Sequence, residues 1–284
     1  AGASWQRISD QLPQHLWVAR IQASAFEDGR VYAVLNGYRS DDFNAHLYVS
    51  QDYGQHWMAI GKDLPAEPLN VVKEDPANPD MLYVGSDHGL YVSLNRGQSF
   101  MRMQNGLPAV AVHDVVVQAR EKELVVGTHG RSLYVASVRE MQQLNEKIMG
   151  NPLFAFKPED VRYSPRWGTA YADWMTAQEP AVELPLFLKE AGEVQVSVQD
   201  EKGNELYQFS RACTAGLNYL SYNLEMEASK STLIEESNNA KLKEDEKPLR
   251  LKPAGNGKTY LYKGGYKLVF KKGDNQTNST LQIK

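Results

Sequence analysis

Short runs in which apolar and polar positions alternate recur along the chain, divided by glycine, proline, asparagine and aspartate. Leu82-Tyr83-Val84 and Leu90-Tyr91-Val92 are typical. Aromatic and β-branched residues at a period of two mark strands with one buried face. A helical period occurs in one place: Ser137-Val138-Arg139-Glu140 has the form of a capping box, and Met141, Leu144 and Ile148 follow it. This predicts a helix over 137–149, stopped by Gly150-Asn151-Pro152. The fold class expected is all-β.

The alternation is organised as a repeat. Ser50-Gln51-Asp52-Tyr53-Gly54-Gln55-His56-Trp57 has the form S-x-D-x-G-x-x-W. Ser93-Leu94-Asn95-Arg96-Gly97-Gln98-Ser99-Phe100 repeats it with Asn for Asp and Phe for Trp. Gly2-Ala3-Ser4-Trp5 matches the tail of a third copy. In such a turn the Ser and Asp (or Asn) side chains bond backbone N–H groups, Gly supplies a positive φ, and the aromatic packs between sheets. Ser50, Asp52, Gly54, Trp57, Ser93, Asn95, Gly97 and Phe100 are therefore expected to be structural.

These residues resemble the Asp-box, or BNR-repeat, family of β-propellers, which includes sialidases, xyloglucanases and sortilin-type receptors. Asp75-Pro76-Ala77-Asn78-Pro79 through Gly85 is similar to the inter-strand segment of sortilin-like and xyloglucanase-like repeats. Gly127-Thr128-His129-Gly130-Arg131 resembles the last blade of bacterial glycosyl-hydrolase-like proteins. The resemblance implies a secreted or periplasmic/cell-surface bacterial protein with four-stranded blades.

On that plan, 17–25, 31–35, 47–50 and 57–60 form one blade, and 69–74, 81–85, 90–93 and 100–103 the next. Residues 113–118, 123–127 and 133–136 give three strands of a third. Trp5–Ile8 reads as an orphan outer strand, so further blades upstream of Ala1 are expected to complete the ring. The expected division is propeller blades over 1–136, a helix and proline-rich linker over 137–180, and an immunoglobulin-like β-sandwich over 181–284. Within the linker, Trp167 and Trp174 are expected to pack against a domain. The polar stretch between Glu225 and Pro253 reads as a mobile loop.

Composition narrows the function classes. A formal net charge of −4 over 284 residues gives no electrostatic footprint for nucleic acid or an anionic membrane. The single cysteine, Cys213, excludes an internal disulfide and a Cys-based metal site. There is no membrane-spanning segment and no cofactor motif.

Sorting polar residues by loop places His15, Arg39, Asp41, Asp42, His46, Asp87, His88, His113, Asp114, His129 and Arg131 on the face opposite the box turns. The longest loop there runs from Asn36 to His46. A glycan, peptide or protein ligand is expected at this mouth, bound by Tyr38, Arg39, His88, His113, His129 and Arg131. An alternative is glycoside hydrolysis by Asp41 or Asp42 with Asp87, since that chemistry needs two carboxylates. A third reading has His88, His113 and His129 with Asp87 or Asp114 hold a divalent metal.

Overall fold

The computed structural model describes residues 2–104, 106–172, 174–242 and 247–284. The chain divides into two compact units, Ala1–Leu144 and Asn145–Lys284. Both are built from antiparallel strands.

The first unit contains three successive meanders. The first sheet comprises β1 (Trp17–Ala23), β2 (Val31–Gly37), β3 (Asp42–Ser50) and β4 (Met58–Ala59), hydrogen-bonded in chain order. The second repeats this with β5 (Leu69–Glu74), β6 (Leu82–Ser86), β7 (Gly89–Ser93) and β8 (Met101–Met103). The third has β9 (Val112–Gln118), β10 (Glu123–Thr128) and β11 (Leu133–Ser137). Four-stranded meanders packed face to face are the arrangement of propeller blades.

Alternation decides which face each strand shows. Tyr32, Val34, Leu47 and Val49 of the first sheet meet Leu69, Val72, Leu82 and Val84 of the second in one core. Val71, Met81, Tyr83, Leu90 and Val92 point the other way, against Val112, Val115, Val117, Leu124 and Val126 of the third. The middle sheet is thus buried on both sides, and β6 and β7 are buried throughout. The third sheet covers only one of its faces, leaving Val116, Leu133 and Val135 exposed.

The two box turns have the same hydrogen bonds. Ser50 Oγ accepts from the Gly54 N–H at 2.8 Å and donates to Asp52 Oδ1 at 2.9 Å; Ser93 Oγ does the same with Gly97 and Asn95 at the same distances. Tyr53 and Gly54, then Arg96 and Gly97, hold φ between 60° and 86°. A Cβ on Gly54 would lie 2.6 Å from Ile8 Cδ1, and one on Gly97 would lie 2.7 Å from Ile60 Cδ1. Each box glycine is therefore roofed by the isoleucine three residues after the aromatic of the preceding copy. Trp5–Ile8 is not a hydrogen-bonded strand, contrary to expectation. Trp5 is exposed, while Ile8 acts as that roof and its carbonyl accepts from Trp57 Nε1 at 2.8 Å.

The expected helix over 137–149 is broken. Ser137 ends β11, Met141–Gln143 is a single 3-10 turn, and Leu144 is extended. Only Glu146–Gly150 (α1) is helical, capped by Asn145, whose Oδ1 accepts from the Ile148 N–H. A competing interaction explains the break. The Asp75 carboxylate is fully buried and accepts from the Ala77 N–H at 2.8 Å, the Tyr83 hydroxyl at 3.0 Å and Gln142 Nε2 at 3.0 Å. Asn78 Nδ2 donates to the Gln142 carbonyl. Satisfying a buried carboxylate outweighs the few tenths of a kcal/mol per residue that helix propensity offers. Burial, reinforced by Asp75, pushes the Tyr83 phenol far above its usual range.

The second unit is a β-sandwich. One sheet has the order β12 (Leu153–Ala155), β13 (Val182–Leu188), β16 (Gly216–Tyr222). The other has the order β15 (Glu205–Cys213), β14 (Gly192–Gln199), β19 (Gly264–Lys272), β20 (Asn275–Ile283), and β17 (Glu225–Met226) pairs with β18 (Thr259–Tyr260). Leu184, Leu186 and Leu188 face Val194, Val196, Val198, Leu268 and Phe270 in a single core.

Two expectations need correction here. Linker residues Leu153–Ala155 form a strand of the sandwich, and Trp167 is buried with it, but Trp174 is 85% exposed. The stretch expected to be a mobile loop contains α2 (Ser231–Asn239), whose Ile234 enters the core; residues 243–246 lie outside the described residues. A single buried isoleucine, with Leu233 beside it, docks a short helix that composition marks as polar.

The box geometry makes a stability prediction. Ser93→Ala leaves the buried Gly97 N–H without an acceptor and should cost about 1–3 kcal/mol in urea unfolding. Gly97→Ala should cost at least about 1–2 kcal/mol for the left-handed backbone alone. Its penalty should shrink in an Ile60→Val background, which removes the Cδ1 methyl; equal penalties in both backgrounds would show that the roof contact is energetically idle.

Candidate functional site

The ends of strands from all three sheets of the first unit meet around an open cavity of about 530 Å³. The first sheet contributes Trp17 at the start of β1, Asn36 in β2, and Tyr38 and Arg39 from the 3-10 turn that follows. Asn70, Asp87 and His88 come from β5 and the tight β6–β7 turn. The third sheet contributes Ala111, His113 and His129. Six residues expected from the sequence (Tyr38, Arg39, Asp87, His88, His113 and His129) therefore share one cavity.

A hydrogen-bond relay crosses from the first sheet to the second. Asn36 Nδ2 donates to the Leu69 carbonyl and to Asn70 Oδ1, both at 3.0 Å, and Asn70 Nδ2 donates to Asp87 Oδ1 at 2.9 Å. Asn36 Oδ1 accepts from the Tyr38 N–H, which fixes the start of the turn carrying Arg39. The Arg39 guanidinium lies over the Trp17 ring, 4.6 Å from its centroid, a cation–π stack. Across the cavity the His113 and His129 rings pack at 5.3 Å with a 37° tilt.

His88 is half of a carboxylate–imidazole pair. Its Nδ1 lies 2.7 Å from Oε2 of Glu67, whose other oxygen accepts from the Tyr91 hydroxyl at 2.6 Å. Glu67 is buried while the His88 side chain is 70% exposed. The neutral ring then carries its proton on Nδ1 and keeps an Nε2 acceptor. Burial, with the Glu67 bond adding to it, pushes the Tyr91 phenol up to about 12.

Other expected residues are committed elsewhere. Asp42 lies in β3, bonded to His46 Nε2 at 2.9 Å and with His15 Nε2 at 3.6 Å. The Asn44 N–H, then the Asn44 side chain and His46, hold its carboxyl down at about 2. Asp41 occupies the left-handed C-cap of the 3-10 turn at φ 56°. Neither lines the cavity, so among its lining residues Asp87 is the one carboxylate. Arg131 is also outside the lining, and Asp114 pairs with Arg20 at 2.9 Å. Among the described residues no three of His, Cys, Asp or Glu are grouped as a metal site requires.

Trp17, Asn70 and Glu67 escaped the sequence reading, and Asn36 entered it only as the first residue of the long loop. Asn70 carried a signal: an amide inside Leu69-Asn70-Val71-Val72 needs a partner if the strand is buried. Glu67 beside Pro68 carried none, because its partner His88 is 21 positions away.

No protein-family model matches this chain, and no curated protein does. Among solved structures it is similar to the extracellular domain of a one-component system from B. thetaiotaomicron (10% identity, 94% of this chain, 31% of that one, TM-score 0.32). It is also similar to an ancestral GH74 enzyme (13%, 94%, 35%, 0.37) and to the GH74 xyloglucanase from Xanthomonas campestris (12%, 93%, 47%, 0.36). The chain spans less than half the length of each of these chains. No described helix is long and apolar enough to cross a membrane.

The Asp42 cluster sets a pH expectation. A carboxyl depressed below its ordinary 3.8 stabilises the fold fully above that value and loses the contribution as pH falls through about 2. Carboxyl-carbon NMR should give Asp42 a midpoint near 2, and Asn44→Ala should raise it. An unshifted Asp42 in the parent protein would mean the loop is not held as described.

Proposed function

We propose that the first unit is an extracytoplasmic ligand-recognition module, part of an Asp-box propeller of the sortilin-like and xyloglucanase-like kind, joined to an immunoglobulin-like sandwich. The extracytoplasmic placement is carried over from the sequence resemblance alone. The observation that carries the recognition reading is the cavity lining. Exposed rings of Trp17, Tyr38, His88, His113 and His129 surround a few fixed polar groups, the make-up of a ligand site. Glycoside hydrolysis asks for a second carboxylate, and Asp41 and Asp42 are not in the lining. Of a glycan, a peptide or a protein, a glycan suits the site best: rings can face C–H surfaces of a sugar, and Asp87, held by its amide relay, can accept from hydroxyls.

The test is a binding screen of the purified protein against glycan and peptide arrays, followed by calorimetry. His113→Ala/His129→Ala should weaken the best ligand at least about tenfold, roughly 1.4 kcal/mol. Asp52→Ala, on the box turn, should leave it unchanged. Binding indifferent to the histidine pair would place recognition elsewhere, and release of reducing ends from a bound glycan would replace recognition by hydrolysis.

A further inference from the structure

The cavity's polar groups divide into those already used by the protein and those left over, and the remainder specifies the ligand. Both Asn36 and Asn70 spend their amide nitrogens on protein acceptors. Nδ1 of His88 is taken by Glu67, and one Asp87 oxygen is taken by Asn70. By contrast, Arg39 has no carboxylate partner among the described residues; its contact is the Trp17 ring, which leaves the guanidinium N–H donors open. The His113 and His129 rings contact each other and have no hydrogen-bond partner among the described residues. Unspent capacity is thus the guanidinium on the Arg39 side, ring nitrogens of His88, His113 and His129, and one carboxylate oxygen of Asp87 as the charged acceptor.

We propose that the cavity takes a saccharide unit bearing a carboxylate, a uronate, with Arg39 on the carboxylate and Asp87 on ring hydroxyls. This rests on the recognition reading above. A planar guanidinium presents paired N–H donors that match a carboxylate's two oxygens, and its position over Trp17 holds it in place for that contact. His113 and His129 supply further donors to the anion or to adjacent hydroxyls. Asp87 selects against a densely acidic peptide, because a second ligand carboxylate placed against it meets like charge. One small unit carrying both an anion and hydroxyl donors satisfies both sides. A volume of about 530 Å³ suits a short oligosaccharide segment rather than a folded partner.

Calorimetry on the whole chain, with galacturonate, glucuronate and mannuronate oligosaccharides, their carboxyl-reduced counterparts and a poly-glutamate peptide, tests this. At least one uronate should bind at least tenfold more tightly than its carboxyl-reduced form, with an affinity that falls as salt rises. Arg39→Met should remove that preference and Arg39→Lys should keep part of it. His113→Gln, at a position remote from the 3-10 turn, should weaken the same ligand and provides a second readout should the turn refold in the Arg39 variants. Equal binding of the reduced and acidic forms, or a preference untouched by Arg39→Met, overturns the uronate assignment and leaves glycan recognition standing. Poly-glutamate binding more tightly than every saccharide overturns it in favour of an acidic peptide. Failure of every acidic and neutral saccharide to bind overturns both the assignment and the glycan reading beneath it.

Discussion

Sheet-to-sheet register in the first unit depends on a contact that only glycine permits. Gly54 and Gly97 sit in left-handed backbone with an isoleucine methyl of the preceding copy where a Cβ would be. The serine of each turn fixes the loop from inside, and the isoleucine closes it from outside. The Gly97 turn therefore ties the second sheet to the first through Ile60, just beyond the short strand Met58–Ala59, whereas Gly54 is closed by Ile8 from a segment outside the sheets. With register set at this edge, the apolar faces of the inner strands meet in alternation, and the strand ends opposite the box turns converge on one cavity.

The strands of the first unit were legible because each of their cues is local. Period-two alternation, a glycine two residues after an aspartate, and an aromatic three residues later all act within a few positions. The helix beyond β11 was misread because its competitor is not local: Gln142 is drawn to Asp75, 67 positions earlier. α2 was missed for a related reason. Its polar composition suits a solvated loop, and only a partner surface assembled by distant strands makes burial of Ile234 worthwhile.

The candidate site was legible by topology and illegible by chemistry. Sorting residues by loop brought Tyr38, Arg39, Asp87, His88, His113 and His129 to one place, because all strands of a meander share two ends. It could not tell which polar groups are spent. Asp42 has the residue type a hydrolase wants, yet it is engaged by Asn44 and His46 within its own strand and by His15 from ahead of β1. Glu67, invisible in the sequence, is what orders His88.

The relay from Asn36 to Asp87 has a direction, since every bond in it is donated by an amide nitrogen, first across to the second sheet and then within it. Asn36 faces two acceptors, the Leu69 carbonyl and Asn70 Oδ1. It also precedes Gly37, the pairing at which asparagine side chains hydrolyse most readily. Deamidation there would turn a donor into a carboxylate opposed by two oxygens, and the disturbance would pass through Asn70 to Asp87. Tight burial of Asn36 slows that reaction. Loss of this one amide would therefore alter the cavity while leaving the strands that carry it in place.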